Sequence, residues 1–262
     1  MTFWDHVGEL RTRLIRSVIA IAIGAIVGVA LYNWLLAEVF LPPYCRVRDT
    51  LELAGACDLK ITDPLDGFKT RLRVGVYVGV VLAMPVLLYQ LWRFITPALH
   101  RKEKRWAIPF VASSVLLFAL GAGLAYYTFE RALEFLLDFG GDSIDPLFTP
   151  SSYLGLITFM MIAFGIGFEF PILLLFLQLA GIVKPADLGR VRRYAIVGIV
   201  TLAAVITPSG DPVSLAALSI PMYLFYEVSI VVGHLLTRRR RGWLPRKERN
   251  KDEAHSGSSP DL

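Results

Sequence analysis

Residues 146–183 read PLFTPSSYLGLITFMMIAFGIGFEFPILLLFLQLAGIV and contain one charged side chain, that of Glu169. An uncharged run of about 20 residues is already long enough to cross the hydrocarbon core of a bilayer as a helix. The residues 149–152 at its start, TPSS, are typical of a loop followed by a helix cap. Because Pro171 has no N–H to donate to the carbonyl of Gly167, we expect the helix to bend there. The stretch therefore predicts a bent membrane-spanning helix with one carboxylate.

Five further apolar runs surround this span. With it they predict an all-α polytopic membrane protein whose domain covers residues 1–237. The fifth run has only about 14 helical residues before Pro208, roughly 21 Å at 1.5 Å per residue, which is too short for an average bilayer. We therefore expect short fifth and sixth helices. The predicted transmembrane helices are 17–37, 74–92, 106–129, 152–182, 194–208 and 213–236.

The overall composition supports this class. Of the 262 residues, 55% are apolar and 19% are charged, with a mean hydropathy of +0.56. These values exclude disordered and collagen-like chains, and a soluble domain has no use for so many apolar side chains.

The positive charges predict the orientation of the helices. Of 27 lysines and arginines, 20 lie in the two termini and in the loops on their side, and seven lie on the other side. The positive-inside rule then places both termini in the cytoplasm. The net charge of +5 thus reflects topology and does not indicate a nucleic-acid partner. Residues 238–262 are predicted to form a disordered basic cytoplasmic tail.

The only two cysteines, Cys45 and Cys57, both fall in the outer loop between the first two helices. Because that compartment is oxidising, we predict a disulfide, with two unpaired thiols as the alternative. Sequence signatures of catalysis are missing: there is no GxxxxGK[ST], HExxH or GxSxG motif. We therefore expect no enzymatic activity, no cofactor and no metal site.

Glycines are spaced four apart in the first two helices. Gly24 and Gly28 form one GxxxG motif, and Gly75 and Gly79 form the other. Such pairs allow two helix backbones to approach closely. We expect close packing within the chain rather than dimerisation.

Two carboxylates lie at the predicted cytoplasmic face. Glu9 is on the polar side of an amphipathic N-terminal segment, and the alternative to a binding role is an i,i+4 pair with Arg13. Glu103 lies among four basic residues in the loop after the second helix, where simple charge neutralisation is the alternative.

Three further carboxylates lie within or beside the spans. A carboxylate in lipid costs a few kcal/mol, so Glu169 indicates a function, with a packing role as the alternative. Glu227 in the sixth helix is a weaker case, with Tyr223 one turn away as its candidate partner. Asp211 lies in the outer turn, where a helix cap and a functional role are equally open.

Four motifs in this order resemble the TatC family, the multispanning subunit of the twin-arginine protein translocase. The resemblance covers residues 3–237 and includes the six helices, the cytoplasmic termini and the short last helices. The motifs are HVGELRTRL at 6–14, YQLWRFITPAL at 89–99 with Glu103 beyond it, FGIGFEFP at 164–171 and TPSGDP at 207–212.

The resemblance implies a receptor that recognises signal peptides with consecutive arginines. Glu9 and Glu103 would be the recognition carboxylates, because a guanidinium pairs best with a carboxylate through two hydrogen bonds. Around them, Phe94, Pro97 and Leu99 would form one wall of the site, and Leu10 with Arg11 the opposite wall.

The resemblance also assigns positions within the membrane and the outer loop. Glu169 would face a concave groove of the cupped bundle and contact partner subunits. Gln90 and Tyr126 occupy positions that the family also uses, and the outer-loop proline of the family is Pro42 or Pro43. The cysteines resemble the longer outer loop of actinobacterial members.

The resemblance implies the setting as well: the bacterial cytoplasmic membrane, with the single-span partners TatA and TatB, self-association in a receptor complex, and energy from the proton-motive force. The alternative function is a secondary transporter or proton channel that uses Glu169 and Glu227. No internal repeat of the kind common in transporters is found between residues 17–129 and 146–237.

Overall fold

The computed structural model describes residues 3–51, 57, 59–61, 63–95, 107–139, 148–179, 181–207 and 210–241. Every regular element within these residues is a helix. They are α1 (Phe3–Ala30), α2 (Tyr32–Leu35), a π-helical turn (Leu36–Phe40), α3 (Leu41–Thr50), α4 (Asp66–Ile95), α5 (Ala107–Phe139), α6 (Pro150–Gly167), α7 (Phe170–Leu179), α8 (Pro185–Arg190), α9 (Arg192–Ile206) and α10 (Pro212–Arg241).

Five helical segments of the described chain are long and apolar enough to cross a membrane: Val7–Ala30, Asp66–Phe94, Ile108–Phe139, Pro150–Leu179 and Pro212–Leu235. The predicted fifth helix corresponds to α9, which has 15 residues. At 1.5 Å per residue α9 is roughly 22 Å long, shorter than a bilayer core.

The expectation of a short sixth helix is wrong. Helix α10 has 30 residues and continues through the basic run to Arg241, so the first four residues of the predicted disordered tail are helical. Arginine is a good helix former, and nothing in the run Arg238–Arg241 interrupts the hydrogen-bonded ladder. Residues 242–262 lie outside the described part of the chain.

Helices α1 and α4 pack antiparallel along their glycines. A Cβ added to Gly24 would lie 2.7 Å from the carbonyl oxygen of Gly79, and one on Gly28 would lie 2.7 Å from that of Gly75. Only glycine leaves room for such an approach, so the two GxxxG motifs form one contact within the chain. We call this contact the glycine seam.

Replacing Gly79 with alanine is expected to destabilise the protein by about 1–3 kcal/mol, the usual cost of overpacking. Its Cβ would lie 2.8 Å from the Cα of Ala25, and backbone cannot move aside as a side-chain tip can. Thermal unfolding in detergent would measure the effect. Gly123→Ala is the matched control, because Gly123 has nothing within 4 Å of an added Cβ. Equal unfolding temperatures for the two variants would contradict the seam.

The predicted bend beside Glu169 is a break between α6 and α7. The N–H of Glu169 donates to the carbonyl of Ile166 at 3.0 Å, a tighter turn than the α-helical one. Helix α7 then begins at Phe170, and Leu173 donates to the carbonyl of Glu169 at 3.1 Å. The proline thus ends one helix and opens the next.

The main core lies where α5, α6 and α10 meet, around fully buried Phe129, Ile157 and Met222. A smaller cluster joins α4, α5 and α7 around Trp92 and Phe176. We call the end of the bundle with Phe3, Ile95 and Arg241 the terminal end, and the opposite end, which carries α3, the loop end.

Candidate functional site

The first turns of α1 hold a carboxylate–guanidinium pair at the terminal end. Arg13 donates from Nε to Oε1 of Glu9 at 3.1 Å, and its Nη2 contacts the same oxygen. The exposed fractions of the two side chains are 12% for Arg13 and 24% for Glu9. The pair is therefore much less hydrated than an ordinary i,i+4 pair on a helix surface.

Gln90 joins this pair from the neighbouring helix. Its Oε1 accepts from Nη1 of Arg13 at 3.4 Å, and its side chain is buried. The glycine seam sets this contact: Gly24 and Arg13 are 11 residues apart on α1, as are Gly79 and Gln90 on α4. Eleven residues make about three helical turns, so both side chains fall on the packed face. The pair of Arg13 with Glu9 was the alternative to a binding role that the sequence left open. The link to Gln90 was not predicted, although the register of the GxxxG motifs would have indicated it.

The predicted walls of the site are only partly described. Leu10 and Arg11 are exposed on α1, and Phe94 is half-buried near the end of α4. Pro97, Leu99 and Glu103 lie outside the described residues, so the pairing of Glu9 with Glu103 stays a prediction.

Glu169 lies at the break between α6 and α7, facing α5. Its carboxyl group contacts the hydroxyl of Ser114, and its Oε1 is buried without a hydrogen-bond partner. The same hydroxyl accepts from Nε1 of Trp92 at 3.0 Å. Ser114 and Trp92, which were not predicted as site residues, thus connect the intramembrane carboxyl to the last turns of α4.

Glu227 has partners on both oxygens. Arg192 at the start of α9 lies 3.0 Å from Oε2, and the hydroxyl of Tyr223 donates to Oε1 at 3.0 Å. Tyr223 is the partner that the sequence offered, whereas Arg192 was missed because the two residues lie far apart in the chain. The ion pair ties the start of α9 to α10.

Tyr126 contacts the backbone beside the outer-loop prolines at the loop end. Pro43 has no N–H for the carbonyl of Val39 four residues earlier, and this carbonyl accepts instead from the hydroxyl of Tyr126 at 2.9 Å. Tyr153 donates to the neighbouring carbonyl of Phe40 at 2.6 Å. Pro42, at the second residue of α3, likewise has no N–H to donate to the preceding π-helical turn. In this chain Tyr126 therefore holds the entry to α3.

The loop end carries further polar contacts. Cys45 and Cys57 are joined in a disulfide, with 5.5 Å between their Cα atoms. Arg46 donates from Nε to Glu130 at 2.7 Å, and this hydrogen bond raises the pKa of Arg46. The Oδ1 of buried Asp211 accepts from the backbone N–H of Ser214 at 2.6 Å, so Asp211 caps α10.

Among the described residues no group of three or more histidine, cysteine, aspartate or glutamate side chains is arranged to hold a metal ion. The arrangement at the terminal end instead suits a guanidinium, because Glu9 already accepts hydrogen bonds from one.

The comparisons with known proteins all indicate the same family. The model of the family described as Sec-independent protein translocase protein (TatC) matches residues 5–221. The TatC protein of Frankia casuarinae is 41% identical over 254 residues, covering 92% of this chain and 68% of the relative. That of Aquifex aeolicus is 39% identical over 245 residues, covering 92% of this chain and 98% of the relative.

A solved structure agrees in fold. The crystal structure of the twin-arginine translocase receptor TatC in DDM matches with a TM-score of 0.72 and 37% identity, covering 87% of this chain and 99% of that chain. The family match extends over most of the chain and includes Glu9, Gln90 and Glu169. This multi-pass membrane protein therefore belongs to the TatC family of Sec-independent protein translocase proteins.

Proposed function

We propose that this chain is the receptor of a translocase that exports folded proteins, and that it binds signal peptides carrying two consecutive arginines. The observation that carries the proposal is the Glu9 carboxylate at the terminal end, which accepts hydrogen bonds from a guanidinium while its side chain is 24% exposed. Glu103 is proposed as the second carboxylate, one for each arginine of the signal.

Two arginines suit such a site better than two lysines do. A guanidinium is planar and permanently charged, and it presents its donors in a fixed fork that matches a carboxylate. An ammonium is a compact, strongly hydrated charge that makes no such fork. A site with two carboxylates should therefore bind a twin-arginine peptide more tightly than a twin-lysine peptide, although the two peptides carry equal charge.

The proposal also covers location and orientation. A surplus of basic residues at the terminal end supports placing both termini in the cytoplasm of a bacterium, with the chain in its cytoplasmic membrane. The basic run Arg238–Arg241 would then lie near anionic lipid headgroups. Export of folded cargo would further require the single-span subunits TatA and TatB, several copies of this chain, and the proton-motive force.

The test is the affinity of the purified protein for a fluorescent twin-arginine signal peptide and for its twin-lysine version. We expect the twin-arginine peptide to bind at least about tenfold more tightly, which corresponds to about 1.4 kcal/mol. A peptide of the same composition with separated arginines is the control for charge. Equal affinity for all three peptides would refute the receptor function.

A transporter or proton channel was the alternative from the sequence. It required Glu169 and Glu227 to exchange protons. The ion pair of Glu227 with Arg192 and the bond from Tyr223 favour a structural role for that carboxylate, and no observation favours the transporter over the receptor.

A further inference from the structure

We propose that Arg13 is a resident competitor for the Glu9 carboxylate, and that this competition sets how strongly the site prefers arginine to lysine. The inference rests on the proposed function, because the incoming ligand is a guanidinium of the signal peptide. Arg13 occupies the place at Glu9 that such a guanidinium would take. Binding is then an exchange of one guanidinium for another.

The hydrogen bonds of Arg13 to Glu9 do not have the strongest arginine–carboxylate geometry. Nε and Nη2 of Arg13 both converge on Oε1 of Glu9. The strongest arginine–carboxylate geometry uses both carboxylate oxygens through two parallel hydrogen bonds. Arg13 is tied to the same helix one turn away, whereas a guanidinium on a separate peptide can align its fork with the carboxylate.

Gln90 gives the displaced guanidinium a second acceptor. Its Oε1 lies 3.4 Å from Nη1 of Arg13, the guanidinium nitrogen whose contact is with Gln90 and not with Glu9. Gln90 is 8% exposed and belongs to α4, which the glycine seam holds against α1. Arg13 can therefore turn towards Gln90 when Glu9 changes partner, so its charge is not left without a hydrogen bond.

Low hydration makes this exchange selective. The side chains of Arg13 and Glu9 are 12% and 24% exposed, so water cannot readily replace either partner. A ligand that displaces Arg13 must supply hydrogen bonds of at least equal quality to Glu9. A guanidinium meets this requirement and an ammonium does not. Arg13 thereby acts as a specificity-determining residue without contacting the peptide in the final complex.

The experiment compares peptide affinities of the wild type, Arg13→Gln and Arg16→Gln. Both substitutions remove one positive charge from the same face of α1, but Arg16 is exposed and one turn further along. We expect Arg13→Gln to bind the twin-arginine peptide about tenfold more tightly and the twin-lysine peptide more tightly still, so the preference for arginine shrinks. Arg16→Gln should shift both affinities by the same factor of about two to three and leave the preference unchanged.

Arg13→Lys keeps the charge and covers the case in which Arg13→Gln does not fold. It should weaken the contact of residue 13 with Glu9. The preference for the twin-arginine peptide should then shrink, as in Arg13→Gln, but by a smaller factor. Weaker or unchanged binding in the Arg13 variants, with a wild type that still prefers twin-arginine, would overturn the inference and make Arg13 a support for Glu9. A wild type without that preference would instead refute the receptor function itself.

Discussion

Replacement of Glu103 with alanine is expected to weaken the binding of a twin-arginine peptide by about tenfold to a hundredfold, the usual cost of losing hydrogen bonds to a charged partner. Glu9→Ala should have the smaller effect. The reason is the resident pair: Glu9 already holds Arg13, so a peptide that binds there gains only the difference between two guanidiniums. Titration of the peptide against purified variants measures both changes.

A control must separate recognition from charge. Glu38→Ala removes one negative charge from an exposed position in the π-helical turn, at the loop end. We expect it to change the peptide affinity by less than about twofold, because the intervening distance exceeds the Debye length of about 10 Å. Undiminished binding in both Glu9→Ala and Glu103→Ala would remove these carboxylates from the site.

Replacement of Glu169 with glutamine is expected to leave the amount of folded protein unchanged and to reduce export of a folded reporter more than about tenfold. Glutamine keeps the shape of the side chain and the contact with Ser114, so the break between α6 and α7 should persist. Only the ionisable oxygen is lost, and an isolated carboxylate in a span marks a functional position. Reporter export and co-purification with the single-span subunits are the two measurements.

Glu134→Gln provides the matched control for this substitution. Glu134 pairs with Arg131 at the loop end, where the arginine side chain is 74% exposed, and pairs of this kind contribute little. We expect wild-type export from it. If Glu169→Gln also exported at the wild-type rate, the carboxyl would have only a packing role beside Ser114.

Much of this fold was predictable because it depends on local patterns. Apolar runs identify the spans, Pro171 identifies the break, and the GxxxG spacing identifies the seam. These features need only a few neighbouring residues. The pair of Glu9 with Arg13 was predictable for the same reason, since residues four apart are neighbours on any helix.

The rest depends on which helices meet and in what register. The contact of Arg192 with Glu227 joins residues far apart in the chain. No sequence pattern around either residue predicts the other as its partner. The bond from Trp92 to Ser114 and the bond from Tyr126 to the carbonyl of Val39 are of the same kind. The missing N–H of Pro43 did carry a usable signal, because a freed carbonyl in an apolar setting requires a donor from elsewhere.

The glycine seam has a consequence for how the length of α1 can change. Because each residue turns a helix by about 100°, inserting one residue between Arg13 and Gly24 would rotate Arg13 away from Gln90 by more than a quarter turn. The backbone contact at Gly24 and Gly79 prevents α1 from rotating back to compensate. The 11-residue interval from Arg13 to Gly24 therefore fixes the rotational position of Arg13 relative to Gln90. Insertions that preserve the contact between Arg13 and Gln90 would have to add close to whole turns in both helices at once.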